Sequence, residues 1–221
     1  MFVTFEGLDC SGKSTQAKLL VEKLETSLRC RVHLIREPGG TRISERIREI
    51  LLDREHLEFS DVTELLLFSA SRSQLVSEII APALRRKETV VCDRYCDSTT
   101  AYQGYGRGLD LQSLHDINRL ATSGVMPDLT ILLDIPVEEV ARRKAGLGGP
   151  NDRMENAGRR FFERVRNGYL DLAKKDHKRF SVIDGTEPLK TVARSIWLVV
   201  EARLNEKKTD MRSLSERERS K

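Results

Sequence analysis

The chain has no apolar stretch that could cross a bilayer as a helix. Its longest aliphatic stretches are a handful of residues, such as Leu65 to Phe68, so a helical membrane span is excluded. It is also short of cysteine. Cys10, Cys30, Cys92 and Cys96 make neither a disulfide framework nor a zinc pattern, because Cys92 and Cys96 have no second pair or histidine near them. Free thiols in a reducing compartment are expected. Charge of one sign is equally scarce. Thirty-eight Lys and Arg against 34 Asp and Glu leave +4, spread along the chain. A nucleic-acid binder would cluster its basic residues on a stripe, whereas a mildly basic surface suits a small anionic substrate. Met1 to Glu6 carries no basic-then-apolar export pattern, and a cytoplasmic protein is expected.

At roughly 150 residues per domain, 221 residues fit one α/β domain with a small insertion or a tail. With 39% hydrophobic and 33% charged residues, the chain has both a core and a solvated surface. Apolar, β-rich runs at Phe2–Phe5, Arg31–Ile35, Thr89–Cys92, Leu129–Ile135 and Arg179–Ile183 predict five strands. Helical patterns at Lys13–Leu28, Ile43–Leu52, Asp61–Arg86, Leu111–Thr122, after Pro136, Arg159–Lys174 and Pro188–Leu204 fill the intervals. This alternation, with several strands apolar on both faces, predicts a parallel sheet covered by helices. Residues 1–205 read as a single domain with a flexible, charged segment at about 143–157. Residues 206–221, charged and nearly without apolar residues, read as a frayed tail.

Gly7-Leu8-Asp9-Cys10-Ser11-Gly12-Lys13-Ser14, followed by Thr15, fits the phosphate-binding pattern G-x-x-x-x-G-K-[ST], with a strand before it and a helix after it. The glycines let backbone N–H groups turn inward onto a phosphate, and the helix N-terminus adds a partial positive charge. Lys13 then meets the outer phosphates of ATP, and the Ser14 hydroxyl ligates Mg²⁺. GTPases, ATPases, kinases and regulatory nucleotide binders all use such a loop, but no guanine-selecting N-K-x-D tetrapeptide accompanies it here. Asp93 ends an apolar strand where a carboxylate reaches Mg²⁺ directly or through water. Arg36 and Arg94 end or follow strands on the same side of the sheet, where α/β proteins bind ligands. Two guanidiniums beside a triphosphate site suit a second phosphate. Strand-end ion pairing is the plainer reading of each taken singly.

Four segments, in this order, resemble the thymidylate kinase family: Gly7–Thr15, Arg36-Glu37-Pro38-Gly39-Gly40-Thr41, Leu66-Leu67-Phe68-Ser69-Ala70-Ser71-Arg72, and Asp93-Arg94-Tyr95-Cys96 through Gln103-Gly104. Asp152-Arg153-Met154-Glu155 resembles the family's lid. The resemblance runs from about Phe2 to about Leu204. It implies a P-loop nucleoside monophosphate kinase with a mobile lid, transferring the γ-phosphoryl group of Mg-ATP to dTMP, and a homodimer packed through helices. It also implies that Phe68 and Arg72, on one helical face at i and i+4, hold thymine. On its own pattern Phe68 reads as core. By the same resemblance Ser98 or Thr99 and Gln103 approach the base edge, and Tyr102 lies under the sugar. Arg94 with Arg36, in the motif that carries Glu37, holds the acceptor phosphate. Asp9 positions the acceptor or its magnesium, or else caps the loop through an Asx turn. Cys10 stands where some family members carry a loop arginine, so the chain resembles the members that draw this arginine from the lid. Arg153 is the candidate, with Arg143 beside the ATP and Lys144 in support. A different nucleotide or nucleoside kinase, or a nucleotide-sensing module, remain the alternatives.

Overall fold

The computed structural model describes residues 1–28, 31–53, 59–147 and 158–219. Cys30, Arg153 and most of the predicted lid lie outside them. Five strands, β1 (Phe2–Glu6), β2 (Val32–Arg36), β3 (Thr89–Asp93), β4 (Leu129–Asp134) and β5 (Phe180–Asp184), form one parallel sheet in the order β2-β3-β1-β4-β5. The three inner strands are buried on both faces except at the last residue of β3 and β4, while the edge strands β2 and β5 are partly exposed. Near-continuous apolar runs such as Thr89-Val90-Val91-Cys92 follow from that double cover.

Helices α1 (Lys13–Leu28) and α9 (Leu189–Arg219) pack on one face of the sheet. Ala17, Leu20 and Leu24 meet Val192, Ile196 and Val200 over Val3, Phe5 and Ile131. The other face carries α3 (Asp61–Leu75), α4 (Ala81–Arg85), α5 (Cys96–Thr99), α7 (Val137–Leu147) and α8 (Arg159–Lys175), with α2 (Arg42–Leu52) and α6 (Leu111–Thr122) packed on α3. Phe161, Val165 and Tyr169 of α8 lie against Leu132 there, and Leu75, Val76 and Ile80 against Phe2, Val90 and Cys92.

Two differences from the sequence expectation have local causes. The predicted helix 61–86 is interrupted by a π-helical turn, Val76–Ile80, just before Pro82. A proline ring cannot pack against the carbonyl one turn earlier in a regular α-helix, so the preceding turn widens. The expected frayed tail is instead helical, α9 continuing through Arg219. Residues 205–219 contain no Gly or Pro and are rich in Glu, Lys and Arg, all good helix formers. A further helical stretch was not read from the sequence: α5 runs directly into a second π-helical turn, Thr100–Gly106.

Candidate active site

The P-loop leaves β1 through Gly7 at φ +136°, where a Cβ would sit 2.4 Å from the carbonyl oxygen of Leu133. Only glycine fits so close to β4 in that conformation. The loop closes into α1, and Lys13 is buried with its ammonium donating to Leu8 O at 2.6 Å and Ser11 Oγ at 3.3 Å. Burial, and then the nearby Arg94, push the Lys13 pKa down to about 8. Ser14 Oγ donates to Asp93 Oδ2 at 2.5 Å, which brings together the two groups expected to hold magnesium. A hydroxyl and a carboxylate, completed by phosphate oxygens and water, form the sparse oxygen set that Mg²⁺ prefers. Among the described residues no cluster of three or more His, Cys, Asp or Glu forms a separate metal cage.

Two adjoining cavities open beside the loop. The first is lined by Cys10, Gly12, Lys13, Ser14, Thr15, Arg36 and Asp93; the second by Phe68, Arg72, Ser98, Thr99, Tyr102 and Gln103. Asp9, Glu37, Arg48 and Arg94 line both. The cavities therefore meet at two carboxylates and two guanidiniums.

Arg94 occupies a left-handed backbone conformation, φ 73°, which turns its side chain back under the P-loop. Its Nη1 donates to Gly7 O at 3.0 Å and to Ser98 Oγ and Tyr169 Oη at 3.1 Å. Its Nη2 donates to Asp9 Oδ1 at 2.6 Å and to Tyr102 Oη at 3.2 Å, with the guanidinium 5.0 Å above the Tyr102 ring. Burial works against the Asp9 carboxylate, but Arg94 and Lys13 outweigh it and hold its pKa below the usual value. The ion pair with Arg94, together with acceptance from Tyr102 Oη at 3.1 Å, ties the loop to α5 and the turn beyond it.

Arg72, 1% exposed, donates to Glu37 Oε2 at 2.8 Å, Asn118 Oδ1 at 2.9 Å, Thr99 Oγ1 at 2.8 Å and Tyr95 O at 3.3 Å. A guanidinium has five N–H donors, so among the described residues one, on Nη1, is left over from these bonds at the cavity that Arg72 lines. Gln103 donates its amide to the buried Glu64 at 2.8 Å. A carboxylate only accepts, so the Gln103 carbonyl is left to face elsewhere. Ser98 is engaged by Arg94 and by Glu6, and Arg36 lies on the P-loop side, in a bidentate pair with Glu45 at 2.9 and 3.0 Å. Arg143 donates to Cys10 O at 3.2 Å, Gly185 O at 2.7 Å and Glu139 at 2.6 Å, so it reaches the P-loop backbone.

Arg48, Glu6, Glu64 and Tyr169 escape a sequence reading. Arg48 looks like one of several charges on a solvated helix, and Tyr169 like a core aromatic. Glu6, an acid ending the apolar strand Phe2–Phe5, is the one signal that was available.

The sequence model described as "Thymidylate kinase" matches residues 5–196. A thymidylate kinase of Pelotomaculum thermopropionicum is 50% identical over 191 residues, covering 86% of this chain and 88% of the relative. One from Kosmotoga olearia is 50% identical over 196 residues, covering 89% and 93%. The crystal structure of thymidylate kinase from Ehrlichia chaffeensis superposes with a TM-score of 0.74 at 37% identity, covering 91% of this chain and 98% of that one. On this match of sequence and fold, the chain belongs to the thymidylate kinase family of P-loop phosphotransferases.

Proposed function

We propose that this protein transfers the γ-phosphoryl group of ATP to dTMP, giving dTDP and ADP. The meeting of the two cavities at Asp9, Glu37, Arg48 and Arg94 carries this reading. Donor phosphates lie along the P-loop with Lys13 beside them, and the nucleoside monophosphate enters from the side of Phe68, Arg72 and Gln103. The Phe68 ring stacks on the base, and the remaining Arg72 N–H donates to a base carbonyl. Tyr102 lies under the sugar. Arg94 and Arg48 face the junction, where the acceptor phosphate sits. Arg36, on the donor side and paired with Glu45, acts there only if that pair opens.

Ser14 and Asp93 would hold Mg²⁺, whose chemistry there would be charge neutralisation at the donor phosphates. Phosphoryl transfer needs positioning and charge neutralisation more than covalent chemistry. A monophosphate oxygen is already ionised near neutral pH, so no side chain has to act as a strong base. Arg153 supplies the transition-state arginine, while Arg143 supports the P-loop at Cys10.

Val62 and Leu66 on α3 are each 52% exposed, and Leu120 on α6, which packs against α3, is 80% exposed. We assign this apolar face to a homodimer. Leu66→Glu and Leu120→Glu convert the dimer to a monomer in light scattering if the face is the interface. A cytoplasmic location completes the reading.

The test of substrate is ADP release from Mg-ATP against dTMP, dUMP, dCMP, dGMP, UMP and thymidine. Strong release with dTMP and weaker release with dUMP are expected, since one methyl is worth only ~1–3 kcal/mol of discrimination. Release with thymidine but not dTMP overturns the assignment.

A further inference from the structure

The carboxyl group of Glu6 is fully buried at the end of β1 and, among the described residues, is not one of those lining either cavity. Its Oε1 accepts from the Tyr95 N–H at 2.7 Å. Its Oε2 accepts from Ser98 Oγ at 2.6 Å and Tyr169 Oη at 2.9 Å. Those two hydroxyls lie 2.8 Å from each other, and both accept from Arg94 Nη1 at 3.1 Å. Glu6 thus stands directly behind the two oxygens that hold one edge of the guanidinium.

Each hydroxyl has a single proton. An ionised carboxylate can only accept, so it draws both protons toward Oε2 and leaves the hydroxyl lone pairs facing Arg94. We propose that Glu6 is the positioning residue for Arg94, fixing its guanidinium in the acceptor cavity through Ser98 and Tyr169. The inference rests on the reading of that cavity as the dTMP site.

The same triangle gives the device a pH dependence. Three oxygen–oxygen contacts share two protons when Glu6 is ionised, and a third proton on Glu6 fills the remaining contact. One hydroxyl then turns toward its neighbour and presents less of its lone-pair density to Arg94. The groups facing Glu6 are Asp97 on α5, which is held by Arg179 at 2.5 Å, together with Arg94, Lys13 and Cys92. Burial first, and then the Asp97 charge, push Glu6 up to about 7. Below that pH the protonated triangle holds Arg94 less tightly, and above it more tightly.

Steady-state kinetics of Glu6→Gln between pH 6 and 8.5, with dTMP and ATP varied separately, tests this. A Gln amide donates where the carboxylate accepted, so at pH 8.5 KM for dTMP rises about tenfold while KM for ATP stays within about twofold. The ratio of variant to wild-type KM falls toward one at pH 6, where wild-type Glu6 also carries a proton. Titration of the dTMP phosphate is common to both proteins and drops out of the ratio. Tyr169→Phe removes one of the two links, and a dTMP-selective rise in KM is expected there as well. It decides the matter alone if Glu6→Gln does not fold. A ratio that does not vary with pH, an equal rise in KM for ATP, or an unchanged KM for dTMP in Tyr169→Phe overturns the proposal. Absence of dTMP-dependent ADP release by the wild-type protein strikes the substrate reading instead, which keeps the two failures distinct.

Discussion

Ser14 and Asp93, far apart in sequence, are joined by a hydrogen bond of 2.5 Å from the Ser14 hydroxyl to the carboxylate. The contact places the two proposed Mg²⁺ ligands opposite each other, one from the start of α1 and one from the end of β3. Ser14→Ala and Asp93→Asn each leave half of the pair. The expected outcome is a higher Mg²⁺ requirement, read as a rightward shift of activity against free Mg²⁺ at fixed ATP, with the fall in kcat largest at low Mg²⁺. An unchanged Mg²⁺ curve in both variants argues against this assignment.

Arg48 donates to Pro38 O at 2.9 Å and lines both cavities. Arg46, two residues earlier on the same helix, points to solvent in a pair with Glu49. A hydrogen bond to a charged group is worth about 1.5–3 kcal/mol, so Arg48→Ala should raise KM for dTMP on the order of ten- to a hundredfold. Arg46→Ala serves as the control and should leave both KM values near wild type.

Arg153 and Arg143 separate by their readouts. Removing a transition-state arginine costs on the order of 10³ to 10⁵ in rate, so Arg153→Ala should lower kcat strongly with little change in either KM. Arg143 instead bonds the carbonyls of Cys10 and Gly185, and its replacement should act mainly on KM for ATP. Nearly unchanged turnover in Arg153→Ala sinks its assigned role.

Glu37 carries a stability signature. Burial raises its pKa from 4.5 to about 7 in spite of Arg72, and among the described residues its Oε1 has no hydrogen-bond partner. The folded state therefore holds this proton more tightly than the unfolded chain between those two values. Stability linked to Glu37 is fully present below the lower one and is lost as pH rises through the upper. The melting temperature of the wild type minus that of Glu37→Gln should fall as pH rises from about 4.5 to about 7.5. A constant or rising difference contradicts the assignment.

Much of this architecture is legible in the amino-acid order because its signals are local. The P-loop glycines and the apolar inner strands need no knowledge of distant residues, and Lys13–Leu28 and Leu111–Thr122 coincide with α1 and α6. What escapes depends on contacts across the sheet. Cys96–Gly106 has no apolar period, since Ser98, Thr99, Tyr102 and Gln103 face a cavity and its helical turns are short and wide. Arg36 stands out at a strand end and Arg48 does not, yet the fold pairs Arg36 with Glu45 and turns Arg48 toward both cavities. Phe68 reads as core until the second cavity opens beside it.

The π-helical turn Thr100–Gly106 has a consequence for how the chain can change in length. A wide turn of this kind holds one residue more than an α-helix would, and Tyr102 and Gln103, consecutive in sequence, both face the cavity from within it. Loss of a single residue between 100 and 106 would tighten the turn, rotate these side chains and shift Tyr105 and Gly106 against Gly168 and Phe161 of α8. A one-codon deletion here thus strikes the proposed substrate cavity and its packing on α8 together.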